Sequence, residues 1–181
     1  MTWRYGAFEL DSTIPPEGVD ARAYLEGKYD AASVAAIHAR LAEVFAAEAL
    51  PLRDLSAPGL RPNTFAAHRL LTAALAEGAV VQQAVADGLF RAYWADGADI
   101  GDHGVLVAIA GDAGMAGDSA RRALASDDVA MAARAEERRA HEAGIRAVPT
   151  FVIGGGFVVT GAQPPAALAQ AVRQALAAAE A

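Results

Sequence analysis

Residues 143–165 read AGIRAVPTFVIGGGFVVTGAQPP, and the fold turns on how this stretch is read. Pro149 opens the apolar run Phe151, Val152 and Ile153; Gly154, Gly155 and Gly156 follow, and Phe157, Val158 and Val159 form a second β-prone run. Two such runs around glycines predict a β-hairpin. Upstream, Gly144 supplies a left-handed stop for a helix over 127–143. Downstream, Pro164 and Pro165 suit the first turn of a last helix, where a missing amide proton costs little. The three glycines are no phosphate loop, because no GKS or GKT follows and the context is strand to strand.

Working back from the hairpin, the chain reads as mostly helical. Alanine supplies much of the 54% hydrophobic content, and alanine favours helix while burying little surface. Trp3, Tyr5 and Ala7 alternate and predict a strand over 2–8, which IPPEG at 14–18 ends. A short helix is expected over 21–29. Ser33 reads as the N-cap of the next, with Val34, Ile37, Leu41, Val44 and Phe45 at helical spacing to about residue 49. Pro58, Gly59 and Pro62 mark a connection. Asn63 or Thr64 caps a helix that carries Phe65, Leu71 and Leu75 on one face and stops at Gly78. Val81, Val85, Leu89 and Tyr93 recur four apart over 80–94, and Asp102 caps a helix over 105–110. Asp118 and Ser126 are the remaining caps. The sequence contains no internal repeat.

Charge and composition remove several function classes. A net charge of −7 without a basic run does not suit nucleic acid, whose phosphates call for clustered Lys and Arg. No apolar run reaches membrane-span length and no leader pattern opens the chain, so a cytoplasmic protein without membrane partners is expected. There is no cysteine, which removes disulfides, thiolate zinc sites and thiol catalysis from this chain. His38, His68, His103 and His141 lack ligand spacing, so no metal and no cofactor is expected. The acidic GADIGDHG at 97–104 lacks the twelve-residue loop of a calcium hand and reads as a turn with a cap. The mixed charges of RAEERRAHEAG at 134–144 read as a solvated helix face.

Four stretches carry a family resemblance. FEL with PPEG downstream, NTFAAHRLLTAALAEG, LFRAYWADGADIGD and GIRAVPTFVIGGGFVVTGAQP occur in the order found in DsbA-like thioredoxin proteins, and most resemble their FrnE-like branch. The resemblance implies an α/β thioredoxin-like fold with an all-helical insertion: residues 1–12 and 127–181 form the thioredoxin part and 13–126 the insertion. It also implies a cis Val148–Pro149 bond in a loop that faces a Cys-x-x-Cys helix. That helix and the strand before it have no counterpart in this sequence, so the thioredoxin part is expected to be incomplete at its N-terminal side.

The function implied is that of a protein thiol–disulfide oxidoreductase family member that is redox-inactive as this cysteine-free chain, with no catalytic residue of its own. Two alternatives stand beside it: a non-catalytic peptide-binding thioredoxin module, and a relative of glutathione-dependent isomerases of the 2-hydroxychromene-2-carboxylate type. The substrate-binding residues implied are Val148, Pro149 and Thr150 of the loop, with Asn63, Thr64 and His68 of the insertion. The bland reading of the second set is a helix cap and a half-exposed histidine. The partner expected is a peptide or thiol substrate. A strand edge left open at 150–153 also leads to a homodimer, since exposed edges recruit other strands.

Overall fold

The computed structural model describes residues 2–154 and 156–179. Gly155, in the predicted hairpin turn, lies outside them, as does Met1. The elements are β1 (Val19–Asp20), α1 (Ala21–Glu26), α2 (Ala31–Ala47), β2 (Leu60–Arg61), α3 (Phe65–Glu77), α4 (Ala79–Trp94), α5 (His103–Asp112), α6 (Gly117–Ala125), α7 (Asp127–Glu142), β3 (Thr150–Ile153), β4 (Phe157–Thr160) and α8 (Pro165–Ala179). The chain divides within α7 into two compact units, Met1–Glu137 and Arg138–Ala181. No helix among the described residues is long and apolar enough to cross a membrane.

The first unit is built on α3 to α6. Its core is Leu70, Ala74, Val85, Leu89, Leu106, Ala110, Met115, Ala120 and Leu124, all buried. Small residues let these helices approach closely. A Cβ at Gly88 of α4 would stand 2.7 Å from Ile109 Cγ2 of α5, so glycine here is a packing requirement despite its usual helix cost of about 1 kcal/mol. The buried face of α3 is Ala67, Leu70 and Ala74, rotated from the predicted Phe65, Leu71 and Leu75, which are half-buried. The small alanines made the true face easy to misjudge.

Several caps differ from the sequence reading. Helix α2 starts at Ala31 under Asp30, whose carboxylate accepts from the Ser33 amide at 2.8 Å; an acceptor three residues ahead of the predicted cap takes the role. Helix α6 starts after Ala116, which leaves Asp118 in its first turn, where its carboxylate pairs with Arg121 at 2.8 Å. Asp102 caps α5 through the Val105 amide at 2.9 Å, and Ser126 Oγ accepts from the Val129 amide at 3.3 Å in α7.

No strand forms over 2–8. The alternation is nevertheless expressed, against helices. The amides of Tyr5, Ala7 and Glu9 donate to Gln82 Oε1 at 3.0 Å, Glu136 Oε2 at 3.3 Å and Glu137 Oε1 at 3.1 Å. Side chains of α4 and α7 thus take the place of a neighbouring strand, meeting the requirement that buried main-chain groups be bonded. Arg4 adds an ion pair to Glu136.

The second unit holds the hairpin and α8. Strands β3 and β4 pair antiparallel, with Thr150 opposite Thr160 and Ile153 opposite Phe157. Helix α8 packs on both strands. Val152 and Val158, opposite each other in the register, are 59% and 60% exposed, so one face of the hairpin is bare.

Candidate functional site

The predicted set Val148, Pro149 and Thr150 forms the entry to β3. The Val148–Pro149 bond is cis. Val148 and Pro149 are exposed. The loop is tied by Thr150 Oγ1, which donates to the Ala147 carbonyl at 2.6 Å, and by the Gly161 amide, which donates to the Pro149 carbonyl at 2.8 Å.

That last bond fixes the direction of every main-chain group in β3. In an antiparallel pair, bonded and non-bonded residues alternate. Pro149 and Gly161 are a bonded pair, so Phe151 and Ile153 also face β4, while the amides and carbonyls of Thr150 and Val152 face away from it. Among the described residues β4 is the one sheet partner of β3. Two residues beside the proline therefore present a strand edge.

The second predicted set, in the first unit, is engaged internally. Asn63 Nδ2 donates to the Ile14 carbonyl at 2.7 Å and its Oδ1 accepts from the Phe65 amide at 2.9 Å, so it ties the 14–18 turn to the start of α3. Thr64 occupies the N-cap position, yet its side chain makes no cap hydrogen bond. His68 is half-buried: its Nδ1 is shut off from solvent without a partner, while the ring hydrogen-bonds the Phe8 main chain. Burial holds its pKa below the usual 6.5, against the pull of Glu137; the imidazole is neutral.

Around His68 lies a charged cluster that sequence reasoning missed. Arg134 of α7 donates to Glu9 and, at 2.8 Å, to Glu137, and its guanidinium lies 3.5 Å from the Phe65 ring centroid. Glu9 and Glu137 are both buried. Burial raises the Glu9 pKa above the usual 4.5, and the Arg134 hydrogen bond opposes that rise. The run at 134–144 is thus no uniformly solvated face. Its signal was the spacing of Arg134 and Glu137, three apart on one side of α7 with Ala133, a small residue that lets chain approach. Gln82 had a comparable signal: it stands three before Val85, in register with the buried stripe Val85, Ala86, Leu89 and Ala92.

Among the described residues no group of three or more acidic or imidazole side chains is arranged to hold a metal ion. The model of the DSBA-like thioredoxin domain matches residues 1–173. The chain belongs to the DsbA-like thioredoxin family. Within that family's fold, it is similar to the structure of a probable DsbA oxidoreductase from Streptomyces coelicolor, with 31% identity, a TM-score of 0.84, and coverage of 94% of this chain and 73% of that one. A candidate protein disulfide isomerase from Nitrosomonas europaea shares the fold at 20% identity and a TM-score of 0.65, over 83% of this chain and 74% of that one. No curated protein sequence gives a significant match. The thioredoxin-like fold of the DsbA type, with its large helical part, is thereby established for this chain.

Proposed function

We propose that this DsbA-like chain holds an extended polypeptide along the free edge of β3, beside Val148, Pro149 and Thr150, and carries out no thiol–disulfide exchange by itself. The observation that carries the reading is the absence of cysteine from a member of this family. Exchange proceeds by attack of a thiolate on a disulfide sulfur, and this chain supplies neither the thiolate nor a sulfur to carry the mixed disulfide. What it retains is a strand edge with outward amides and carbonyls at Thr150 and Val152, which suits strand addition by a peptide.

The reading places the chain in the FrnE-like branch, as a cytoplasmic protein with 1–12 and 127–181 as the thioredoxin part and 13–126 as the insertion. Asn63, Thr64 and His68 of the insertion form a second proposed substrate-binding set. The test is a titration of the labelled chain with an unstructured, cysteine-free peptide, alongside insulin reduction with thiol contaminants blocked. Saturable shifts at the Thr150 and Val152 amides with a blank-level reduction rate are expected. Reductase activity from the purified chain, or shifts spread without regard to β3, would overturn the proposal. Saturable binding of reduced glutathione in place of the peptide would favour the isomerase-like alternative.

A second reading rests on the bare hairpin face. Val152 and Val158 are exposed beside the free edge, so a second copy of the chain can cover both at once. This homodimer competes with peptide for the same strand.

A further inference from the structure

A cavity of about 250 Å³ in the first unit lies between the starts of α3 and α5, lined among others by Asn63, Phe65, Arg69, Gly101, His103 and Arg134. Its lining is rich in donors and poor in acceptors. Arg69 brings five N–H donors, and its hydrogen bonds are confined to one nitrogen: Nη2 donates to the Ser126 carbonyl at 2.9 Å and to the Ala123 carbonyl at 3.4 Å. Its Nε is buried without a partner, and among the described residues no carboxylate pairs with its charge. Arg134, by contrast, is already matched by Glu9 and Glu137.

The main chain reinforces this excess. Thr64 leaves the first turn of α3 uncapped, Asn63 Oδ1 takes the Phe65 amide, and the Ala66 amide beside the cavity has no side-chain acceptor. The start of α5 at His103 adds its own partial positive charge. Two acids are near, Asp99 and Asp102; their Oδ1 atoms accept from the Gly101 and Val105 amides, and neither residue lines the cavity.

We infer that this cavity is a binding site for a small oxyanion, a carboxylate or a phosphate, held by the unpaired Arg69 guanidinium and the first turn of α3. The pairing of guanidinium with a planar carboxylate or a phosphate is bidentate and charge-assisted, which accounts for an arginine kept with unused donors beside a half-open cavity. The volume falls below that of drug-sized pockets, so the ligand is a compact anion or the acidic end of a larger molecule. The site does not depend on the β3 edge, since every residue named belongs to the first unit.

The experiment titrates the full chain with sodium succinate and, separately, sodium phosphate, at constant ionic strength with chloride as the blank. Saturable shifts of the Ala66 and Gly101 amides and of the Arg69 side-chain signal are expected for at least one of the two, and the tighter of them tells carboxylate from phosphate. Arg69→Lys, which keeps the charge and loses the planar fork, should weaken binding by about tenfold. Because Arg69 also ties the end of α6, Ala66→Asp provides a second variant: an acid in the first turn of a helix is favourable to folding, yet it repels an anion here. It should bind at least tenfold more weakly with its melting temperature kept. The site is refuted if neither anion gives a saturable response beyond chloride, or if Ala66→Asp binds as tightly as the parent.

Discussion

Gln82 clasps the Tyr5 peptide at both ends of that residue: Oε1 accepts the Tyr5 amide at 3.0 Å and Nε2 donates to the Tyr5 carbonyl at 2.9 Å, while Nε2 also reaches the Leu71 carbonyl at 3.1 Å. The side chain is fully buried, so it does in the interior what a neighbouring strand does in a sheet. Gln82→Leu fills similar space and removes all three bonds; the Leu71 carbonyl keeps its bond within α3, while the Tyr5 amide and carbonyl are left unsatisfied at roughly 1 to 3 kcal/mol each before relaxation. A loss of about 2 to 4 kcal/mol in denaturant unfolding is expected. Gln82→Glu should cost more at neutral pH, because it sets a carboxylate oxygen against two carbonyls. A Leu variant as stable as the parent would show that the clasp contributes nothing.

His68 makes folding sensitive to mild acid. Its folded pKa lies below the unfolded value of 6.5, so the unfolded chain binds the proton more readily. The stability associated with the neutral ring is fully present above pH 6.5 and is lost as pH falls below it. One proton allows a slope of at most about 1.4 kcal/mol per pH unit. His68→Asn should flatten the stability profile between pH 7.5 and 5.5, measured as the difference from the parent. Parallel profiles would remove the half-buried, neutral imidazole from the account.

Glu9 acts with the opposite sign. Its folded pKa is raised above 4.5, so the native state holds the proton more tightly and stability falls as pH rises from 4.5 through the folded value. Glu9→Gln keeps an acceptor for Arg134 and cannot ionise. Relative to the parent, it should gain stability between pH 4 and pH 7. A gain on going the other way would mean that the Arg134 pair outweighs burial. Urea unfolding of the two proteins at both pH values decides between them.

The hairpin, α8 and the helical block were legible in the sequence because each rests on local chemistry: glycines between β-prone runs, prolines in a first turn, a 3.6-residue period. The fate of 2–8 was not. Alternation at Trp3, Tyr5 and Ala7 reports which side chains face inward, and the amides that alternate with them find Gln82, Glu136 and Glu137 from 77 or more residues away. Nothing local distinguishes those acceptors from a strand. The surroundings of His68 likewise escaped, since its hydrogen bond to Phe8 and the charges of α7 that act on it come from elements distant in sequence. Alanine-rich helices added a third difficulty, because a stripe such as Ala67, Leu70 and Ala74 carries little hydrophobic contrast with its neighbours.

The edge and the face of the hairpin can be separated by two substitutions. The Val152 amide points away from β4, so Val152→Pro removes an outward donor while sparing the bonds to β4, as prolines on free edges do. Val158 sits opposite on the bare face and its substitution by Lys leaves the edge groups intact. If a second copy adds through the strand edge, the parent should sediment as a concentration-dependent dimer. Val152→Pro should then be monomeric and should also lose the added peptide, whereas Val158→Lys should weaken self-association by about tenfold and still bind peptide. A dimer untouched by Val152→Pro would place self-association elsewhere on the chain. A parent that stays monomeric at all concentrations, with peptide binding lost in Val152→Pro, would assign the edge to peptide alone.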